Sequence, residues 1–273
     1  MAAKIWLIAG ASRGLGRVWA KAALERGDRV AATVRDPATL ADLVRDHGAA
    51  VLPLVLDVTD RAAVFAAFDT AQRQFGRIDI VVANAGYGLF GTIEESGEDQ
   101  SRAQMDTNFF GVLWVVQAAL PQLRAQGGGH VLITSSMAGV ITFPTAGVYN
   151  ASKWALEGLG ETLAQEVGEF GIKVTLIEPA GYATDWRGAS ASRAAPMPAY
   201  DGLRERLRAA SAGRPIADPA ATAGAILAAV DAEQPPLRLF LGTAGLPAAR
   251  RAYADRLATW EAWAPVSEAA QGG

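Results

Sequence analysis

Tyr149 and Lys153 are the first residues of this chain to suggest chemistry. They stand four apart in Tyr149-Asn-Ala-Ser-Lys153, where a stretch with helical spacing opens, so both side chains fall on one helix face. A phenol titrates at about pH 10, too high for proton exchange near neutrality. An ammonium one turn away stabilises the phenolate and lowers that value. Taken alone, the pair also fits an ordinary solvated helix face. Ser136 adds to it. It lies just past the apolar run His130–Thr134, and the carboxyl end of a buried parallel strand is where open α/β sheets bind ligands. Ser135 is the adjacent alternative, and either hydroxyl also suits a plain turn. A phenol, an ammonium and a hydroxyl together suit proton transfer at an oxygen atom.

A second cluster lies near the N-terminus. The strand-like run Lys4–Ala9 leads into Gly10-Ala-Ser12-Arg13-Gly14-Leu15-Gly16, and a helical pattern follows. Gly10 permits a tight turn, and Gly14 and Gly16 let backbone amides and a helix start approach a pyrophosphate. A Gly-rich βα turn without a ligand is the plain alternative, but strand before and helix after are the context a dinucleotide needs. An acid at the end of the second strand would hydrogen-bond a ribose 2′-hydroxyl and repel a 2′-phosphate. Thr33-Val34-Arg35-Asp36 puts Val where that acid belongs. Arg35 can grip a phosphate bidentately, Arg13 offers a second cation, and Ser12 a hydroxyl. Asp36 precedes Pro37 and reads as a helix N-cap. The pattern favours NADP over NAD.

These groups need a scaffold, and the composition admits one. The chain has 273 residues, 51% hydrophobic and 19% charged, too apolar for disorder. The net charge of −3 leaves no electrostatic footprint for nucleic acid or an anionic membrane. There are no cysteines and only two histidines, which excludes thiol catalysis and a multi-histidine metal site. The longest apolar run, Phe109–Leu120, is interrupted by Gln117 and falls short of the roughly 18 residues of a membrane span. No signal-peptide pattern opens the chain, so a cytoplasmic protein is expected.

Short apolar runs alternate with longer helical patterns. The runs Lys4–Ala9, Arg29–Val34, Val51–Leu56, Ile78–Ala83, His130–Thr134, Lys173–Glu178 and Leu237–Leu241 have the length of strands buried on both faces. Between them, segments such as Asp60–Phe75, Asp99–Arg124 and Tyr149–Phe170 read as helices. Asp36-Pro37, Thr59-Asp60 and Asp218-Pro219 read as helix starts. The alternation predicts one α/β domain over residues 1–264, a doubly wound parallel sheet of about seven strands with helices on both faces. A long connection at about 183–217 interrupts the alternation and is a candidate substrate loop. Residues 265–273 have little to pack and read as a flexible tail.

Gly10-x-x-x-Gly14-x-Gly16, Asp57, Asn84-Ala85-Gly86, Asn108, Ser136 and Tyr149-x-x-x-Lys153 together resemble the short-chain dehydrogenase/reductases, over about residues 4–184. The resemblance implies a Rossmann-like domain with strand order 3-2-1-4-5-6-7 that binds NAD(P). Tyr149 would be the general acid/base and Ser136 would hydrogen-bond the substrate oxygen. Lys153 would hold the nicotinamide ribose and lower the Tyr149 pKa, and Asn108 would hold a water in the proton relay. Asp57 and Val58 would contact the adenine, and Asn84, Ala85 and Gly86 would line the cofactor. Two departures stand out. Ala83 replaces the first Asn of the usual Asn-Asn-Ala-Gly, and the usual Pro-Gly-x-x-x-Thr reads Pro179-Ala180-Gly181-Tyr182-Ala183-Thr184. If the usual Gly needs positive φ, either Ala180 is strained or Gly181 absorbs the turn instead, and the carboxamide contact near Tyr182 is in doubt. Thr184 keeps its place.

The implied reaction interconverts a small-molecule ketone and a secondary alcohol, with a hydrophobic substrate favoured. Tyr182–Leu207 would roof the pocket, with Trp186, Met197 and Tyr200 as candidate lining, joined by Phe143, Val148 and Gly88–Phe90. The resemblance also implies a homodimer or homotetramer, and Trp260 and Trp263 suit packing on the core or on another subunit. An enoyl reductase would space Tyr and Lys six apart, and a sugar-nucleotide epimerase would carry G-x-x-G-x-x-G. A non-catalytic NADP-binding regulator is the alternative from another class; it would not need Ser136, Tyr149 and Lys153 together.

Overall fold

The computed structural model describes residues 3–188, 190–213 and 216–272. β1 (Ile5–Ala9) passes through the glycine turn into α1 (Gly14–Glu25), followed by β2 (Arg29–Val34), α2 (Ala41–His47), β3 (Val51–Val55) and α3 (Arg61–Phe75). β4 (Ile80–Ala83) leads to the short β5 (Leu89–Phe90), α4 (Glu98–Met105), a π-helical turn at Asp106–Phe110 and α5 (Gly111–Ala125). β6 (Gly129–Thr134), α6 (Gly147–Val167) and β7 (Ile172–Pro179) come next, then β8 (Ser192–Arg193), α7 (Asp201–Ser211) and α8 (Thr222–Asp231). β9 (Arg238–Leu241), α9 (Gly245–Ala262) and α10 (Ala264–Ala269) complete the order.

The main sheet runs β3-β2-β1-β4-β6-β7-β9, and every pairing in it is parallel. Counted over its own strands, this is the expected 3-2-1-4-5-6-7. β5 and β8 stand outside it and pair with each other. Side chains alternate along each strand, so one strand feeds two cores. Leu7 and Ala9 join the cluster under α3, α5 and α6, whereas Trp6 and Ile8 join the cluster under α1, α2 and α8. Crossover helices cover both faces of the five inner strands, which is why those read as continuous apolar runs. The edge strands β3 and β9, expected to be buried on both faces, are partly exposed because no strand among the described residues pairs with their outer edges. The two wholly buried indoles keep their polar atoms satisfied: Trp6 Nε1 donates to Asp28 Oδ2 at 2.7 Å and Trp19 Nε1 to Thr222 Oγ1 at 2.9 Å. The predicted caps form, with Asp36, Asp60 and Asp218 accepting from Ala38, Ala63 and Ala220.

The single helix expected over Asp99–Arg124 is interrupted. Its inward residues Gln104, Asn108 and Val112 are buried and four apart, slightly more than one α-helical turn, and the extra residue of the π turn takes up the drift. The strain expected at Ala180 is absent: Thr145 (φ 63°) is the one non-glycine residue with positive φ among the described residues, and Gly181 does not adopt it either. α10 is helical and none of its residues is buried. No helix among the described residues is long and apolar enough to cross a membrane.

Candidate active site

The strand order reverses beside β1 and β4, and the carboxyl ends of β1, β4, β6 and β7 surround that point. α6 delivers Tyr149 and Lys153 to it on one buried face. Lys153 Nζ donates to the Thr134 carbonyl at the end of β6, 2.7 Å away, and lies 5.9 Å from the centroid of the Tyr149 ring. Burial pushes the Lys153 ammonium down to about 8, opposed by the Glu157 carboxylate one turn further along α6. Ser136 begins the 3-10 turn Met137–Gly139, and its Oγ accepts from Ala138 N–H at 3.0 Å. Ala138, Ala146 and Tyr149 pack as one cluster. The Ser136 turn, the phenol ring and the ammonium are therefore held around one spot. Ser135 lies beneath the turn, 2% exposed, where a Cβ on Gly139 would stand 2.6 Å from its hydroxyl oxygen. Ser136 is the half-buried hydroxyl of the two.

The glycine turn is fixed from three strands. Gly10 adopts φ 83°, and its N–H donates to the Thr33 carbonyl on β2. Asn84 Nδ2 donates to the Gly10 carbonyl at 2.8 Å, and Thr134 Oγ1 donates to Asn84 Oδ1 at 3.3 Å. A Cβ on Gly10 would stand 2.9 Å from Ala85 Cα, and one on Gly16 would collide with the Gly10 carbonyl. No side chain caps α1 at Arg13, and no acid occupies its first turn. Its leading amides are thus available to an anion. Ser12 and Leu15 are half-buried around them, while Thr184 lies 3.7 Å from where a Gly14 Cβ would be. Arg13 sits 4.0 Å from Asp185. A Cβ on Gly86 would face Asn108 Oδ1 at 3.0 Å and Lys153 Nζ at 3.7 Å. The uncapped helix start, the side-chain-free turn and the open surface of Gly86 beside Lys153 fit a nicotinamide dinucleotide.

Further residues take up their places around this centre. Arg35 is exposed just past β2, Val34 is buried where an acid would oppose a phosphate, and Asp36 is committed to its cap. Asp57 Oδ1 accepts from the amide and hydroxyl of Thr59 at 3.0 and 2.8 Å, with Val58 buried against Gly111. Pro179 ends β7, and Ala180 N–H bonds the Leu241 carbonyl. The Tyr182 hydroxyl lies 3.3 Å from where a Cβ on Gly242 would be.

The Asn108 amide braces rather than reaches outward. Its Oδ1 accepts from Tyr87 N–H, and its Nδ2 donates to the Tyr87 carbonyl and to Ser152 Oγ, all at 3.0–3.1 Å. Gln104, which the sequence reading passed over, does the same work one turn earlier, bonding Leu89 N–H and the Tyr87 carbonyl. Two buried amides four apart on one helix face were the available signal. On the side of the connection that follows β7, where the substrate is expected, the Trp186 ring lies 4.9 Å from the Tyr149 ring and 5.1 Å from Phe90. Met197 and Tyr200 bond Glu95 and Glu94. Phe143 lines a groove of about 580 Å³ with Ile93 and Trp154, beside the exposed face of α6.

Comparison with known proteins agrees with this geometry. A family model described as short chain dehydrogenase matches residues 4–195. The chain is 40% identical over 269 residues to "Oxidoreductase BOA17" of Botryotinia fuckeliana, covering 97% of this chain and 98% of that one. A short-chain dehydrogenase from Streptomyces avermitilis superposes with TM-score 0.91 at 36% identity over 98% of each chain. A Burkholderia phymatum relative in complex with NAD matches at 27% identity and TM-score 0.80, over 94% of this chain and 95% of that one. An alcohol dehydrogenase from Thermococcus sibiricus complexed with 5-hydroxy-NADP matches at 26% identity and TM-score 0.74, over 88% and 96%. With the glycine turn, the sheet order and the full-length relatives in agreement, the chain belongs to the short-chain dehydrogenase/reductase family of NAD(P)-binding oxidoreductases.

Proposed function

We propose that the protein is an NADP-preferring carbonyl reductase or secondary-alcohol dehydrogenase acting on a hydrophobic small molecule. The observation that carries this reading is the buried Lys153 ammonium, anchored on the Thr134 carbonyl and set beneath the Tyr149 ring. When bound, the dinucleotide supplies or accepts the hydride at the carbonyl carbon. Tyr149 gives a proton to the carbonyl oxygen in reduction and takes it back in oxidation. Ser136 donates to the same oxygen and stabilises the charge that develops there. The Lys153 charge favours the phenolate of Tyr149, and the same ammonium, beside Gly86, would hold the nicotinamide ribose hydroxyls. The Asn108 amide is committed to Tyr87 and Ser152, so its part here is to brace this wall of the site.

Arg35, Arg13 and the absence of an acid at Val34 support NADP; the solved relatives carry either dinucleotide. Trp186 and Phe90 beside Tyr149 support an apolar substrate. Phe110 and Trp154, partly exposed on adjoining helices, support a homodimer or homotetramer, and we place the protein in the cytoplasm. The test is to follow NADPH and NADH absorbance in parallel against a panel of ketones. Tyr149→Phe should lower kcat by on the order of 10²–10⁴-fold and leave NADPH binding intact. Normal turnover in that variant, or a wild type that binds NADPH yet reduces no carbonyl, would refute the reading.

A further inference from the structure

One buried carboxylate ties together two segments that also meet through the Tyr200 hydroxyl on Glu94 and a short β-ladder. Glu95 lies on the connection between β5 and α4, and its side chain is 1% exposed. Its Oε2 accepts from the Thr92 amide at 2.8 Å, on its own segment. Its Oε1 accepts from the Met197 amide at 2.6 Å and from Arg204 Nη2, both on the far side of the substrate loop. Arg204 also donates to the Met197 carbonyl at 3.0 Å and to Asp201 at 2.9 Å. The two amides, then the guanidinium, hold the Glu95 pKa down at about 2, so the carboxylate is charged throughout the working range.

Upstream of this clasp, the same two segments meet through the two-residue strands β5 and β8. Gln100 Nε2 donates to the Arg193 carbonyl at 3.0 Å. Beyond them lies Trp186, between Phe90 and Tyr149. A Cβ on Gly88 would stand 2.8 Å from the Trp186 ring, so this wall is seated closely. The four-residue ladder is too short to hold a loop by itself.

We propose that Glu95 and Arg204 are positioning residues that clasp the substrate loop, and that Trp186, held in place by them, is the specificity-determining wall against which the apolar part of the substrate is oriented. The inference rests on the reading of Tyr149 as the proton donor. The clasp acts on where the carbonyl sits, so its loss appears in KM for bulky ketones, while the proton path along α6 is untouched.

The experiment pairs amide hydrogen exchange with steady-state kinetics on the full chain. The variants are Glu95→Gln, Arg204→Met, Arg204→Lys and Trp186→Ala. The probes are NADPH with acetophenone, 1-tetralone and 4-phenylcyclohexanone. Glu95→Gln and Arg204→Met should speed exchange of residues 190–204 by about 10-fold or more while β1 and α6 keep wild-type protection. KM for the aryl ketones should rise by about 10-fold or more, with kcat changed by less than about 3-fold. Arg204→Lys, which keeps the charge and part of the bonding, should fall between. Trp186→Ala should raise the same KM values without altering exchange of residues 190–204. Unchanged exchange in both Glu95→Gln and Arg204→Met overturns the clasp. Faster exchange with unchanged KM overturns its role in orienting substrate. A wild type with a slow-exchanging loop but no ketone reduction instead sinks the proposed reaction, and the substrate wall with it.

Discussion

Replacing Glu178 by Gln should flatten the pH dependence of stability between pH 6.5 and 8. Glu178 sits on β7 with 0% of its surface exposed. Among the described residues neither ionised carboxyl oxygen accepts a hydrogen bond, Glu157 is the hydrogen-bond partner of the protonated form, and Arg238 Nε pairs with the carboxylate at 3.8 Å. Burial pushes its pKa from 4.5 up to about 8; the neighbouring Glu157 carboxylate adds to the shift and Arg238 opposes it. Between those values the native chain holds one proton more than the unfolded chain. The stabilisation is therefore complete at low pH and is lost as pH climbs through the native value, at about 1.4 kcal/mol per pH unit. Two other buried groups bound the useful window. His130, pushed by burial from 6.5 down to about 4, acts in the opposite sense below pH 6.5. Lys153, lowered from 10.5 to about 8, acts in the opposite sense above pH 8. Between these limits the wild type should lose about 2 kcal/mol, and Glu178→Gln close to none. The Gln amide can donate to Glu157, which protects the fold of the variant. Urea unfolding followed by tryptophan fluorescence, at fixed ionic strength and at both ends and the middle of the window, measures this. Equal slopes in the two proteins would refute the assignment of the retained proton to Glu178.

Gly16→Ala would press a methyl against the Gly10 carbonyl, and against the Asn84 amide nitrogen at 2.5 Å. It should cost about 1–3 kcal/mol of stability and weaken NADPH binding, as read by thermal melting and calorimetric titration. Arg35→Ala should raise the Kd for NADPH by roughly 10–100-fold through loss of a charged hydrogen bond and leave NADH binding unchanged; equal effects on both cofactors would argue against phosphate recognition. Ala180→Gly, which restores the family's usual residue, should bring no gain in NADPH affinity, because neither Ala180 nor Gly181 adopts positive φ.

The five inner strands were legible because a strand buried on both faces must be an unbroken apolar run; the edge strands β3 and β9 kept enough apolar residues to be read despite their exposed positions. The glycine turn and the Tyr149–Lys153 spacing were legible because each is a local pattern with a mechanism attached. What escaped is set by distant contacts. β5 and β8 are two residues long, with no periodicity to read, and exist because the substrate loop is drawn onto Gly88 and Phe90. The π turn at Asp106–Phe110 follows from the need to bury Gln104, Asn108 and Val112 on one side. Glu95 is one acid among the neighbouring Glu94 and Glu98, and only its burial and its donors from Thr92, Met197 and Arg204 distinguish it. Glu178 closes a run correctly read as a strand, yet its buried, proton-retaining carboxyl is visible only once α6 and β9 are packed on it.

Tyr149, Lys153 and Glu157 occupy successive turns of α6, a helix seated so tightly that a Cβ on Gly160 would stand 2.7 Å from Leu176. The ionisable groups thus inherit their spacing from helical pitch and their depth from a rigid contact with the sheet. The segments proposed to meet the substrate hang from separate connections. Remodelling those connections would leave α6 and its ionisable groups where they are, so the walls of the site and its proton-bearing groups can be engineered in this molecule as independent parts.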